Sequence, residues 1–220
     1  PWYRQFCKRP CFHDEYLPTF NRPNVELIDT DGRGVEAITE RGVVAKGREY
    51  EVDCIVFATG FEVGTSFTRR AGYDVTGRDG RTLGEAWAHG MRSLHGLFVH
   101  GFPNLIVSSN AQSAFTTNFP HAMDERSRHI AWLLDRCRKD GTRVLEATEA
   151  AQDAWVEEIV RASRFNEDFL ASCTPGYYNN EGKPDRRSIQ DGSYGRGPVK
   201  FFRILEQWRE AGDLEGLERR

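Results

Sequence analysis

The chain has 220 residues, 39% of them hydrophobic, enough for one sizeable core or for a large piece of a two-domain protein. Lys and Arg total 30 against 33 Asp and Glu, a net charge of −3, which argues against a nucleic-acid partner. No run approaches the roughly 18 apolar residues of a membrane span, and no signal-peptide core lies near the start, so a cytoplasmic protein is expected.

Cysteines stand at positions 7, 11, 54, 137 and 173. The count is odd, Cys-x-x-Cys is absent, and no spacing suits zinc, so reduced thiols and no metal are expected. The six histidines show no ligand pattern with carboxylates or cysteines and read as structural or surface residues. The chain opens on Pro1-Trp2-Tyr3 without Met or leader, as the C-terminal piece of something longer would.

After a Pro-rich opening, Asn24 to Thr30 ("NVELIDT") alternates well enough for a short strand. Val35 to Thr39, Val43 to Ala45 and Glu49 to Val52 are short β runs punctuated by Gly42 and Gly47, the pattern of an antiparallel meander. They lead into Asp53 to Ala58, a continuous apolar run that reads as a central parallel strand buried on both faces. Residues 62–96 are Gly-rich and irregular, with a short helix expected around Leu83 to Ala88. Leu97 to His100 and Leu105 to Ser108 flank a turn at Gly101-Phe102-Pro103-Asn104. Pro120 opens an amphipathic helix that Gly141 closes. A second helix is expected over Thr148 to Phe169 and a last one over Val199 to Ala211. Between them, residues 173–198 form a long connection rich in Gly, Pro, Asn and Tyr, either a ligand lid or a mobile surface excursion.

Three stretches invite chemistry. In "DCIVFATGF" (53–61) an apolar run ends at Gly60, where the missing Cβ lets backbone pass close to a ligand; an ordinary turn is the alternative. In "NAQSAFTTNFP" (110–120) Gln112, Ser113, Thr117 and Asn118 offer donors and acceptors next to a helix N-terminus that favours negative charge. Thr117 and Asn118 are equally good helix caps, and Phe115 and Phe119 read as packing. In "CKRPCF" (7–12) two cations precede a proline, which restricts how Arg9 is presented; a solvated basic pair is the alternative. Neither Gly-x-Ser-x-Gly nor His-Glu-x-x-His occurs, which leaves hydrolase and zincin readings without support.

"DCIVFATGF" (53–61), "GFPNLIV" (101–107), "NAQSAFTTNFPHAMDE" (110–125) and "CTPGYYNNEGK" (173–183) together resemble the C-terminal part of Baeyer–Villiger monooxygenases, within the flavin-containing monooxygenases. Within that group the chain resembles steroid and large-ring ketone monooxygenases. The resemblance implies an α/β fold, part of a flavoprotein with two dinucleotide-binding (Rossmann-like) domains, carrying a small antiparallel meander and C-terminal helices. Residues 1–23 would be the junction from the NADP domain, and 24–220 the C-terminal portion of the FAD domain. No Gly-x-Gly-x-x-Gly motif occurs, so both cofactor loops would lie upstream and the upstream part of the same protein would be required.

The implied reaction inserts one oxygen atom from O2 beside a ketone carbonyl, giving an ester or lactone through a C4a-peroxyflavin, with FAD and NADPH as cofactors. On this resemblance Arg9 is the catalytic arginine and Lys8 contacts the 2′-phosphate of NADP. Gly60, Gly101, Gln112, Ser113, Thr117 and Asn118 line the flavin, and Tyr177 and Tyr178 close over nicotinamide and ketone. An N- or S-oxygenating flavin monooxygenase, sharing the fold without needing Arg9, is one alternative. A non-catalytic remnant or interaction module is another.

Overall fold

A computed structural model describes residues 4, 5, 7–9, 11–60, 66–164, 167–176, 179, 182, 183 and 186–220. The chain divides into two compact units, one of Arg9–Phe61 and one of Pro1–Lys8 with Glu62–Arg220. The expected boundary between residues 23 and 24 falls inside the smaller unit.

The smaller unit holds a short helix α1 (Tyr16–Thr19) and a three-stranded antiparallel sheet of β1 (Ala37–Ile38), β2 (Gly42–Ala45) and β3 (Arg48–Glu51), in the order β1-β2-β3. The glycines that punctuate the sequence explain the register. Lys46 and Gly47 both take positive φ, the two-residue turn whose twist matches that of its flanking strands. A Cβ on Gly42 would collide with the Tyr50 carbonyl across the ladder, so that position admits only glycine. Arg41 pairs with Glu49 and Glu51 on the exposed face.

Two expectations for this unit are overturned. Residues 24–30 form no strand, and Leu27 is 70% exposed. Residues 53–58 are neither paired nor buried: Val56 is 83% and Phe57 72% exposed. An apolar run reports what a segment can bury. Burial on both faces also requires strands alongside it and layers above and below, and this unit supplies neither.

The larger unit is mainly helical. Its elements are α2 (Phe67–Ala71), a short 3-10 turn at Arg78–Gly80, α3 (Leu83–Ala86), α4 (Phe119–Asp140), β4 (Leu145–Ala147), α5 (Glu149–Ala162), α6 (Glu167–Ala171), α7 (Arg186–Gln190), α8 (Pro198–Ala211) and β5 (Leu217–Arg219). Three long helices begin and end where local chemistry dictates. Asn118 Oδ1 accepts from the His121 amide to cap α4, Pro120 lies in its first turn, and left-handed Gly141 ends it. Thr148 caps α5, while Gly197-Pro198 open α8 and Gly212 closes it. The second expected helix breaks at extended Ser163, where the returning chain at Gly195 packs so closely on Ala162 and Ser163 that a Cβ there would collide with the Ala162 carbonyl.

The main core gathers Leu94, Leu97 and Phe98 with Leu133 of α4, Ile159 of α5, Leu205 of α8 and Leu214. Trp155 stacks on Tyr194, with ring centroids 5.6 Å apart. A second cluster packs Leu83, Val99 and Phe102. β4 and β5 pair antiparallel, Leu145 facing Arg219 and Ala147 facing Leu217, a sheet not foreseen from sequence. Every strand pair among the described residues is antiparallel, so the expected parallel strand is absent from them.

The expectation of reduced cysteines also fails, for Cys7 and Cys173 form a disulfide. Their Cα atoms lie 5.3 Å apart, a normal bridging distance, although 166 positions separate them in sequence. No spacing rule would pair cysteines so far apart. Cys11 and Cys54 are exposed free thiols, and burial pushes the Cys137 thiol up. No helix among the described residues is long and apolar enough to cross a membrane.

Candidate functional site

The segment 108–118 is built on a buried polar network. Gln112 takes a left-handed φ of 55° and is fully buried. Its Nε2 donates to the carbonyls of Met91 (2.6 Å) and Gln190 (3.2 Å), and its Oε1 accepts from Ser93 Oγ (2.6 Å). Its amide donates to the Gly192 carbonyl, and its carbonyl accepts from Trp155 Nε1. Ser113, also fully buried, donates from Oγ to the Ser109 carbonyl (2.7 Å) and accepts from Arg126 (2.7 Å). The side-chain donors expected to face a ligand at 112 and 113 are thus engaged inside the protein, and both residues act as scaffold.

The long connection contributes to that scaffold. Gln190 Nε2 donates to the Met91 carbonyl (2.7 Å), Asp191 Oδ1 accepts from the Met91 amide, and the Tyr194 amide donates to the Ser113 carbonyl. Its second half is therefore core structure rather than a surface excursion.

Beyond this scaffold the chain comes to the surface. Thr117 and Asn118 are exposed, and Phe115 and Phe119 are each 48% exposed, which corrects the reading of these rings as packing. This aromatic and polar row leads into the first turn of α4, which contains no acidic residue. Two turns along α4, Arg126 is 5% exposed, its two terminal nitrogens donating to Ser108 Oγ (3.0 Å) and to Ser113 Oγ (2.7 Å), two residues before the row begins. Burial holds its pKa below the usual arginine value. Exposed rings, hydroxyl and amide groups, helix amides and a buried cation suit a flat, largely apolar group with an electron-rich edge.

Gly101 lies in the expected turn with a φ of 85°, its amide donating to Glu146 Oε1 (2.8 Å). A Cβ there would meet nothing within 4 Å, so the turn conformation, and no crowding within this chain, accounts for the glycine. Glu146, buried on β4, also pairs with Arg78 and with Arg220 (3.2 Å), an anchor that no motif announces.

Lys8 is half-buried, its Nζ donating to the Pro175 carbonyl at 2.5 Å, and the Cys7–Cys173 bridge fixes the same loop. That loop is organised by buried Asn179, whose Nδ2 donates to the carbonyls of Leu170, Cys173 and Thr174 while its Oδ1 accepts from the amides of Gly176 and Gly182. Tyr177 and Tyr178 lie outside the described residues. Arg9 is exposed and belongs to the smaller unit, as does exposed Gly60 with a φ of 93° and nothing within 4 Å of a Cβ placed on it. The structure thus buries Gln112 and Ser113, leaves Thr117 and Asn118 at the surface, and joins Lys8 to the loop at Pro175. Arg126, Glu146, Asn179 and Gln190 escaped sequence reading, because a lone buried polar residue carries no local pattern.

Comparison with known proteins adds what geometry alone does not. No family model matches the chain. Pentalenolactone D synthase of Streptomyces arenae is 54% identical over all of the chain, which covers 38% of that protein. An FAD-binding monooxygenase of Hypomyces subiculosus is 48% identical, and a Baeyer–Villiger monooxygenase of Stachybotrys chlorohalonatus 45%, the chain spanning 36% and 35% of their lengths. The chain is homologous, end to end, to part of a Baeyer–Villiger monooxygenase. Among solved structures, polycyclic ketone monooxygenase from Thermothelomyces thermophila superposes with a TM-score of 0.86 at 36% identity, covering all of this chain and 36% of that one. A steroid monooxygenase bound to NADP gives 0.81 at 27%, covering 97% of this chain and 39% of that one. The chain spans somewhat over a third of the length of these relatives.

Proposed function

We propose that the chain is the C-terminal portion of a Baeyer–Villiger monooxygenase dependent on FAD and NADPH, which converts a bulky or cyclic ketone and O2 into an ester or lactone. The observation that carries this reading is identity of 45–48% along essentially the whole chain to two curated monooxygenases, one named for the Baeyer–Villiger reaction and the other for FAD binding. Likeness to polycyclic ketone and steroid monooxygenases favours a large substrate. In this reading residues 24–220 belong to a Rossmann-like FAD domain and residues 1–23 lead into it from an NADP domain.

The residues present fit an isoalloxazine edge at 115–119. When bound, FAD would supply the oxygen-activating chemistry and NADPH the hydride. Thr117, Asn118 and the first-turn amides of α4 would hold the electron-rich edge of the ring, with Phe115 and Phe119 beside its plane. Gln112 and Ser113 would act behind them by fixing the backbone. Lys8 has three donors and spends one on Pro175, which leaves two for a phosphate. Gly60 and Gly101 would allow close approach of backbone. Tyr177 and Tyr178 would shield the site from water, which limits wasteful release of hydrogen peroxide.

Arg9 would stabilise negative charge that develops as oxygen reaches the ketone. Guanidinium remains charged throughout the working pH range and presents several donors, whereas lysine in its place would be a single, titratable point charge. The test is Arg9→Ala in the full-length protein. Ketone turnover should fall by about 100-fold or more while NADPH still reduces the flavin. Ketone turnover near the parent rate would exclude the catalytic role of Arg9.

A further inference from the structure

Arg126 stands apart among the cations of this chain. Most of the others lie at the surface or pair with a carboxylate, as Arg78 and Arg220 do with Glu146. Arg126 is 5% exposed, and its partners are two serine hydroxyls and the Met123 sulfur; among the described residues no carboxylate pairs with it. Neutral hydroxyls satisfy its donors but do not balance its charge. A desolvated, unbalanced cation is costly to bury unless an anion approaches it in the working protein, and in a low-dielectric setting its field reaches further than that of a solvated charge.

Its position says where that anion belongs. Arg126 lies on α4 two turns after the Asn118 cap and grips both ends of the 108–113 segment, at exposed Ser108 and buried Ser113. The exposed row Phe115 to Phe119 continues directly from that segment. Both the α4 N-terminus and Arg126 therefore bias one patch toward negative charge, and no acidic side chain in the first turn opposes them. A charged residue on an amphipathic surface helix would ordinarily face solvent, and the structure places Arg126 inside.

We propose that Arg126 is a positioning residue of the flavin site, whose charge favours the anionic, reduced state of the ring while its two serine bonds hold the 108–113 backbone in register. This rests on the reading that residues 115–119 face the flavin. Two substitutions separate charge from hydrogen bonding. Arg126→Gln keeps donors for the serines and removes the charge, whereas Arg126→Lys keeps the charge and loses the fork that spans both serines.

The measurement is the flavin midpoint potential of the full-length FAD-loaded protein, alongside the rate of flavin reduction at saturating NADPH. Arg126→Gln should lower the potential and slow reduction by about tenfold, and Arg126→Lys should keep the potential of the parent. A merely structural residue would give the reverse order, with glutamine close to the parent and lysine impaired. An Arg126→Gln protein with the parent potential overturns the proposal. If Arg126→Gln does not retain FAD, a lowered potential in Arg126→Lys overturns it equally, and an unchanged one supports it. Thr117→Trp in the same protein tests the underlying reading, because an indole beside the ring should quench flavin fluorescence and shift its absorbance. If that spectrum moves while the Arg126→Gln potential stays, the positioning role alone fails. If neither moves, the site itself lies elsewhere and both readings fall.

Discussion

His95 and His129 are buried in an aromatic setting with Trp155, Trp208 and Trp132, and His95 Nδ1 and His129 Nε2 have no hydrogen-bond partner among the described residues. Burial lowers both pKa values, to about 4 for His95 and about 3 for His129, where the neighbouring Arg209 charge and His95 add to the effect. In the unfolded chain both would titrate near about 6.5. As pH falls below that value the unfolded state takes up protons that the folded state refuses, so stability declines toward acid, by at most about 1.4 kcal/mol per pH unit for each ring. The decline should run from about pH 6.5 down to about pH 4 for His95 and about pH 3 for His129. Denaturant titrations of the full-length protein across that range check it, and His129→Phe should flatten the slope. A slope unchanged by that substitution would mean that other groups set the acid sensitivity. All six histidines were legible as structural or surface residues. Which of the six would be buried was not, since that depends on tryptophans brought in from α5 and α8.

Among elements, the sequence spoke most clearly where signals are local. Asn118, Pro120 and Gly141 mark α4 within a residue or two, and Gly42 and Gly47 mark the meander. Signals failed where the partner is distant. Each strand of the β4–β5 pair is three residues long, and its partner lies some 70 positions away in the chain. The run 53–58 carried the composition of a buried strand without the neighbours that make one. The polar network at Gln112 joins four separate segments, so its residue types alone suggested a ligand. The Cys7–Cys173 bridge belongs to this scale too, since it ties the chain start to the loop that Asn179 organises. Alkylating the native full-length protein without reductant and mapping its peptides should label Cys11 and Cys54 and leave Cys7 and Cys173 unlabelled. Labelling of all four before reduction would show that the tether is not formed.

On the scale of the whole molecule, the chain supplies a capped helical unit with an exposed aromatic and polar row at 115–119 and a buried cation at Arg126, and a smaller sheet-bearing unit that carries Arg9 and Gly60. The chemistry proposed for them needs cofactors and a larger protein, of which the chain spans somewhat over a third in its relatives. Of the residues expected at the site, Gln112 and Ser113 spend their side-chain donors inside the chain, and Thr117 and Asn118 are exposed. The most direct measurement supplies the full-length protein with NADPH, a bulky cyclic ketone and isotopically labelled oxygen gas, then follows the label by mass spectrometry. One labelled oxygen atom should appear in an ester or lactone derived from the ketone. Label found only in N-oxides, sulfoxides or hydrogen peroxide, with a panel of such ketones left unchanged, would contradict the assignment.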